Sequence, residues 1–283
     1  MLVIPAQIHP LASRQIPSLP SNLKQIVKKI ALACFAELAL SLVLTAVVAA
    51  FVATPTGITV LLGAVIVQFA VGAFFRSLGA FAEFKAGQPG SNRAKWEFLN
   101  EASSWICGGN FAFFSGSNAQ TIIHEKGHEL AAKLLYKNSN PIIQINPFEG
   151  GYTEYSVQTL TPFGKKLGES RSTFLTVASG PALTLAVSSL CFSIGMIIKE
   201  TKPSLSKYLL SLGALDFFSH ALYALSAIGL SKKKLANDFV HLSLFGIHPI
   251  AAAIIITATP ILLGLGITHL KNQTPPQLPA PVV

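Results

Sequence analysis

His124-Glu125-Lys126-Gly127-His128 is the stretch of this chain best equipped to do chemistry. Two histidines four residues apart stand one turn above the other on the same face of an α-helix, where both imidazoles can reach one metal ion. Glu125 points about 100° around the helix from His124, where it can hold a water beside the metal rather than the metal itself. The spacing is the H-E-x-x-H arrangement of zinc hydrolases. Catalytic zinc keeps three protein ligands and an open position, so a third Asp, Glu or His must come from elsewhere. Downstream of His128 the candidates are Glu129, Asp216, His220, Asp238 and His241. Glu129 adjoins His128 and points elsewhere on the helix. On spacing alone Asp216 and Asp238 rank level; His220 reads as a hydrogen-bonding partner and His241, one turn after Asp238, as a neighbour of the ligands.

The elements that must position these groups belong to a membrane protein. Of 283 residues, 51% are hydrophobic and 12% are charged, about half the roughly 25% of soluble domains. The net charge of +9 comes from basic residues scattered between apolar runs, a pattern that sets orientation and meets lipid headgroups. No nucleic-acid partner is expected from it. Cys34, Cys107 and Cys191 have no C-x-x-C partners and read as small hydrophobes. The first 29 residues are basic and proline-bearing, and their apolar run starts too late and extends too far for a signal peptide.

Taken in order, residues 1–29 read as a cytoplasmic tail. Residues 30–77 form a transmembrane hairpin broken at Pro55-Thr56-Gly57, because Leu38 to Phe75 carries no charge and each half is long enough for a core of about 30 Å. Residues 78–110 read as a cytoplasmic loop. Residues 111–270 hold the motif helix, capped at Ser117 or Asn118, then short strands through 142–153, spans at 172–198 and 208–230, and a last apolar segment from Ile250 to Ile267. Residues 271–283 form a Pro-rich disordered tail. The fold class is an all-α polytopic membrane protein of about five to six membrane helices with a small re-entrant β element after the motif helix. The positive-inside rule puts residues 1–29 and Lys232–Lys234 on one side. That demands an even number of crossings between them, so 111–155 is expected to dip in and return.

Several pieces together resemble the site-2 protease family of intramembrane zinc metalloproteases. His124-Glu125-Lys126-Gly127-His128 is similar to the family's H-E-x-G-H, and Asn146-Pro147-Phe148-Glu149-Gly150-Gly151 resembles its Pro-Phe-Gly-Gly strand element with one residue inserted. Ala178-Ser179-Gly180-Pro181 resembles its Gly-Pro turn, and Asn237-Asp238 its aspartate-bearing segment. The chain departs from the family at Lys126, Thr184 and Phe239. The resemblance covers about 111–250 and implies Zn2+ as cofactor, held by His124, His128 and Asp238, with Glu125 as the catalytic base. It implies hydrolysis of a peptide bond in a membrane-embedded substrate helix, with the lipid bilayer as surroundings and the inner membrane of a bacterium as residence. Two other readings stand beside it: a non-enzymatic multi-span membrane protein with a lost or structural metal site, and a membrane zinc peptidase of another family.

Overall fold

A computed structural model describes residues 23–52, 54–229 and 237–273. Helices α1 (Leu23–Ala49) and α2 (Pro55–Ala86) form the expected hairpin. Pro55 occupies the first turn of α2, where its missing N–H costs no helical bond, and the Thr54 hydroxyl accepts from the Gly57 amide at 3.1 Å. Both helices, and α6 (Glu169–Ile198), α7 (Pro203–Ser226) and α9 (Pro249–Gln273), are long and apolar enough to cross a membrane. The protein is a multi-pass membrane protein. Its exposed Leu, Ile, Val and Phe side chains line these helices, as a surface in contact with acyl chains requires.

The segment expected as a loop over 78–110 is helix on both sides of a turn at 87–92. α2 continues to Ala86 and α3 spans Arg93–Phe111, with the Asn92 side chain accepting from the Lys95 amide. Charges at Arg93, Glu97 and Glu101 resemble a solvated loop in composition, but they lie on one flank of α3. Ser103, Cys107, Asn110 and Phe111 on another flank are buried. Nor does a cap stand at Ser117 or Asn118. A π-helical turn over Ala112–Gly116 joins α3 directly to α4 (Ser117–Leu135), and the Asn118 amide bonds the Phe114 carbonyl four residues back at 3.1 Å. These side chains reinforce a continuing helix instead of starting one.

The α3–α4 run is about 65 Å long at 1.5 Å per residue and passes from one end of the bundle towards the other. It lies antiparallel to α2, with Asn110 Nδ2 donating to the Gln68 carbonyl at 2.8 Å. It lies parallel to α7, from the Lys207–Glu101 ion pair at 2.6 Å to His220 beside His124. α3–α4 thus runs alongside α7, one of the helices long and apolar enough to cross, although hydropathy does not single it out. The positive-inside premise behind the parity count is not met in the fold. The flanks of the Lys232–Lys234 run, Ser226 and Asn237, stand at the end opposite the start of α1; the lysines themselves lie outside the described residues. What does re-enter is the β-hairpin. Strands β1 (Ile142–Asn146) and β2 (Gly150–Glu154) pair antiparallel, Ile142 with Glu154 and Asn146 with Gly150. Their turn reaches back along α4 until Phe148 stacks on Phe113 and its N–H donates to Asn118 Oδ1 at 3.1 Å. The Ile145 N–H donates to the Phe51 carbonyl at 2.9 Å, and Ile143 and Ile145 pack with Val48, Leu61 and Ile122. Backbone away from regular helix is thus satisfied by protein, the condition for such segments at membrane depth. Two short helices complete the described chain, α5 (Pro162–Leu167) and α8 (Asp238–Leu244).

Small residues set the distance between α4 and α6, as in membrane helix pairs generally. A Cβ on Gly127 would run into the Ser179 carbonyl and would come within 2.9 Å of Gly180 Cα. Gly127→Val should push α4 off α6 and destabilise the protein by about 1–3 kcal/mol, read as a lowered thermal midpoint in detergent. The same change at Gly63, where nothing lies within 4 Å of an added Cβ, should leave the midpoint in place.

Candidate metal centre

α4, α6, α7 and α8 each bring one part of the site. His124 and His128 lie on the buried face of α4, as the four-residue spacing predicts, with their Nε2 atoms 3.2 Å apart. Asp238 at the start of α8 presents Oδ2 at 2.8 Å from His124 Nε2 and 3.4 Å from His128 Nε2. Side-chain exposures of 12%, 11% and 17% leave the three groups nearly dry but reachable. Ligands about 2.0–2.1 Å from a zinc ion at tetrahedral angles stand about 3.3 Å from one another. The three separations here bracket that value, so two imidazoles and one carboxylate fit a single tetrahedral ion with one position open.

The outer edges of both rings fix which nitrogens face inward. His128 Nδ1 lies 2.7 Å from the Thr176 carbonyl, which only accepts, so Nδ1 carries the proton and Nε2 is left with a lone pair. His220 Nδ1 faces acceptors alone, the Asp216 carbonyl at 3.2 Å and Asp216 Oδ1 at 3.3 Å. Its Nε2 then accepts from His124 Nδ1 at 3.4 Å, and His124 Nε2 also turns a lone pair inward. Second partners that fix the tautomer are the usual support of metal-binding histidines. Two imidazole lone pairs and a carboxylate oxygen thus face one point, which a proton or a metal cation must occupy. Where a proton takes that place, burial alone would raise the Asp238 carboxyl, but a protonated imidazole of His124 or His128 donating to it holds it far below the usual carboxylate range.

Asp238 is aimed by its neighbours. The Asn237 side chain accepts from the Phe239 and Val240 amides at 2.9 and 3.3 Å, capping α8. Its amide also donates to the Tyr223 carbonyl at 3.3 Å, and the Asp238 N–H donates to the Tyr223 hydroxyl at 3.0 Å. Asp216, level with Asp238 on spacing, is not at the centre. It accepts from Ser188 Oγ at 2.5 Å and holds His220. His220 is the partner expected of it, while His241 Nε2 is buried without a hydrogen-bonding partner among the described residues. Glu129 pairs with Lys126 and Lys133 on another face of α4.

Glu125 is 4% exposed. Thr153 of β2 donates to Glu125 Oε2 at 2.8 Å and to its carbonyl at 3.1 Å, and a Cβ on Gly151 would come within 3.0 Å of Glu125 Cγ. The hairpin therefore holds the glutamate from one side while the histidines occupy another. Gly180 closes the floor: a Cβ there would fall on the Nε2 atoms of His128 and His124, so only glycine lets α6 pass so close. Thr153, Thr176 and Tyr223 were not legible as site residues. Thr176 acts through its backbone carbonyl, and the other two depend on a hairpin register and a helix pairing that no local pattern encodes. The centre sits about 9 Å inside the end of α7, counted from His220 to Ser226, and about 16 Å inside the start of α6, counted from Glu169 to Gly180.

Comparison with protein-family models, with curated proteins and with solved structures finds no match.

Replacing His220 with alanine should leave His124 free to rotate and weaken divalent-metal affinity about 10- to 100-fold, measured by competition with a chromogenic chelator. Affinity unchanged by His220→Ala would remove His220 from the support of the centre.

Proposed function

We propose that the chain is an intramembrane zinc metalloprotease resembling the site-2 protease family, with His124, His128 and Asp238 as metal ligands and Glu125 as catalytic base. The observation that carries this reading is the convergence of His124 Nε2, His128 Nε2 and Asp238 Oδ2 on one point with Glu125 alongside. Residues 110 positions apart along the chain meet with the donor set and open position of hydrolytic zinc. A bound zinc ion would supply Lewis acidity and bring the pKa of a coordinated water towards neutrality. Glu125, beside the first ligand and steadied by Thr153, is the carboxylate placed to accept that proton and return it to the leaving nitrogen. The bonds of Thr153 to both the carboxylate and the carbonyl of Glu125 keep the base from drifting into the ligand set.

The substrate class follows from the surroundings. Five apolar helices and the polar α3–α4 passage put the centre inside the bundle, so a peptide bond reaching it belongs to a segment in or beside the bilayer. Such a helix must unwind to expose a carbonyl. β2 pairs with β1 on one side, and its other edge is the place where an unwound strand could add. We assign the protein to a bacterial inner membrane, with the start of α1 facing the cytoplasm. Lys28, Lys29, Lys85, Arg93 and Lys95 gather at that end.

Glu125→Gln should retain stoichiometric metal and abolish turnover, read by comparing the membrane proteomes of cells carrying either form. Substrates cut within an apolar span should accumulate whole; identical proteomes alongside full metal occupancy would leave a structural metal site as the better reading. Impermeant thiol labelling of a cysteine placed at Ser91 or at Lys137, both at ends of the bundle, in a form lacking the three native cysteines, tests orientation. Labelling of intact spheroplasts at Lys137 and not at Ser91 is expected, and the reverse pattern would invert the topology.

A further inference from the structure

Around the metal centre the hydrogen-bond donors are spent, with one exception. His124 Nδ1 donates to His220 Nε2, His128 Nδ1 to the Thr176 carbonyl, and His220 Nδ1 faces Asp216. The Thr153 hydroxyl is taken by Glu125, and the Ser179 hydroxyl by the Thr176 carbonyl. The Asn237 amide is taken by the Tyr223 carbonyl and Ser226 Oγ. Tyr223 is the exception. Its phenol oxygen accepts from the Asp238 N–H at 3.0 Å, and among the described residues its own proton has no acceptor. The residue is half-buried and lies three residues after His220 on α7. Its ring meets His124 edge-on with centroids 6.3 Å apart and packs on Phe239 at 5.5 Å. One phenol therefore stands against two of the three ligand residues, His124 through its ring and Asp238 through its hydroxyl.

Peptide hydrolysis at this centre develops one charge that Glu125 does not meet. Addition of a water oxygen to the carbonyl carbon moves the C=O π pair onto the carbonyl oxygen, while Glu125 takes one water proton. Collapse returns that pair and breaks the C–N bond, and the nitrogen leaves with the proton from Glu125. Between the two events the former carbonyl oxygen is an anion. A donor held ready for such an oxygen in a nearly dry site acts where it is worth most. We propose that Tyr223 is a further catalytic residue of this reaction, donating its phenolic hydrogen bond to the oxygen of the scissile carbonyl as that oxygen becomes anionic. The phenol keeps its proton throughout, since phenols titrate well above neutral pH, so the atoms and electrons of the reaction balance without it. Its contact with Asp238 helps in two ways. The bond from the Asp238 N–H occupies a lone pair and turns the hydroxyl proton elsewhere, and a hydroxyl that accepts one hydrogen bond donates a stronger one. The inference rests on the protease reading and adds to it the group that meets the substrate's oxygen.

Tyr223→Phe in the full chain provides the test, assayed at full zinc occupancy on a synthetic peptide of a span that accumulates whole in cells carrying Glu125→Gln. Its kcat should fall about 100- to 1,000-fold with KM little changed. Zinc affinity, read by chelator competition, should fall at most about tenfold, because the Asn237 cap still aims α8. A phosphonamidate analogue of the peptide, whose anionic oxygen copies the intermediate, should bind Tyr223→Phe at least about 100-fold more weakly. The uncut peptide, measured in a Glu125→Gln background, should bind with and without the hydroxyl alike. Zinc lost in step with activity would make Tyr223 a support of Asp238 alone and overturn the proposal, as would an unchanged kcat or an unchanged affinity for the analogue. Cleavage by Glu125→Gln would sink the protease reading itself. An inert Glu125→Gln beside a fully active Tyr223→Phe would remove only the role of Tyr223. Should Tyr223→Phe fail to fold, Tyr223→fluorotyrosine keeps the hydroxyl in place. Its fluorine NMR resonance should shift on adding the phosphonamidate and stay in place with the uncut peptide, and no shift with the analogue would overturn the proposal.

Discussion

Three lone-pair donors turned towards one point, in a site almost closed to solvent, form the constraint on which the rest of this structure depends. Such an arrangement is unfavourable unless a cation sits among the donors, and it lasts only where each donor is held from behind. The structure supplies those holds from three helices. Thr176 of α6 fixes one ring, the Asp216–His220 pair of α7 fixes the other, and the Asn237 cap with Tyr223 aims the carboxylate. The close approach of α4 to α6 at Gly127 and Gly180 brings these supports into range. Take away that approach and the supports lose contact with the rings.

A second consequence concerns how a polar helix survives in an apolar bundle. α3–α4 carries Asn110, Ser115, Asn118, Gln120, Glu125 and His128 in buried positions. Nearly every one has a partner on a neighbouring element: Gln68 for Asn110 and Ser115, Phe148 for Asn118, Ser188 and Leu212 for Gln120, Thr153 for Glu125. The hairpin and the amino-terminal pair α1–α2 therefore act as polar and apolar cover for one helix. Without such cover, unsatisfied groups at membrane depth would each cost several kcal/mol.

What the sequence made legible follows from the range of the interactions. The pairing of His124 with His128 and the side position of Glu125 are properties of helical period, and both stand as expected. The apolar spans, the hairpin break at Pro55 and the short strands around Gly150 are likewise local. Asp238 could not be separated from Asp216 by spacing, because the choice depends on which helix α8 docks beside. The side count depends on the premise that Lys232–Lys234 share the side of residues 1–29, whereas the flanks of that run, Ser226 and Asn237, stand at the end opposite the start of α1. α3–α4 runs along α7 with its polar face covered by protein, and its charges at Arg93, Glu97 and Glu101 read as loop. The cap expected at Ser117 or Asn118 failed because both side chains bond carbonyls of the preceding turn and let the helix run on.

The most direct measurement compares the zinc content of the purified full-length chain with that of Asp238→Asn and Asp216→Asn. Near-stoichiometric zinc is expected in the unaltered protein, its loss in Asp238→Asn, and weakened but detectable binding in Asp216→Asn. Loss in Asp216→Asn with retention in Asp238→Asn, or no zinc in any form, would contradict the assignment of the centre.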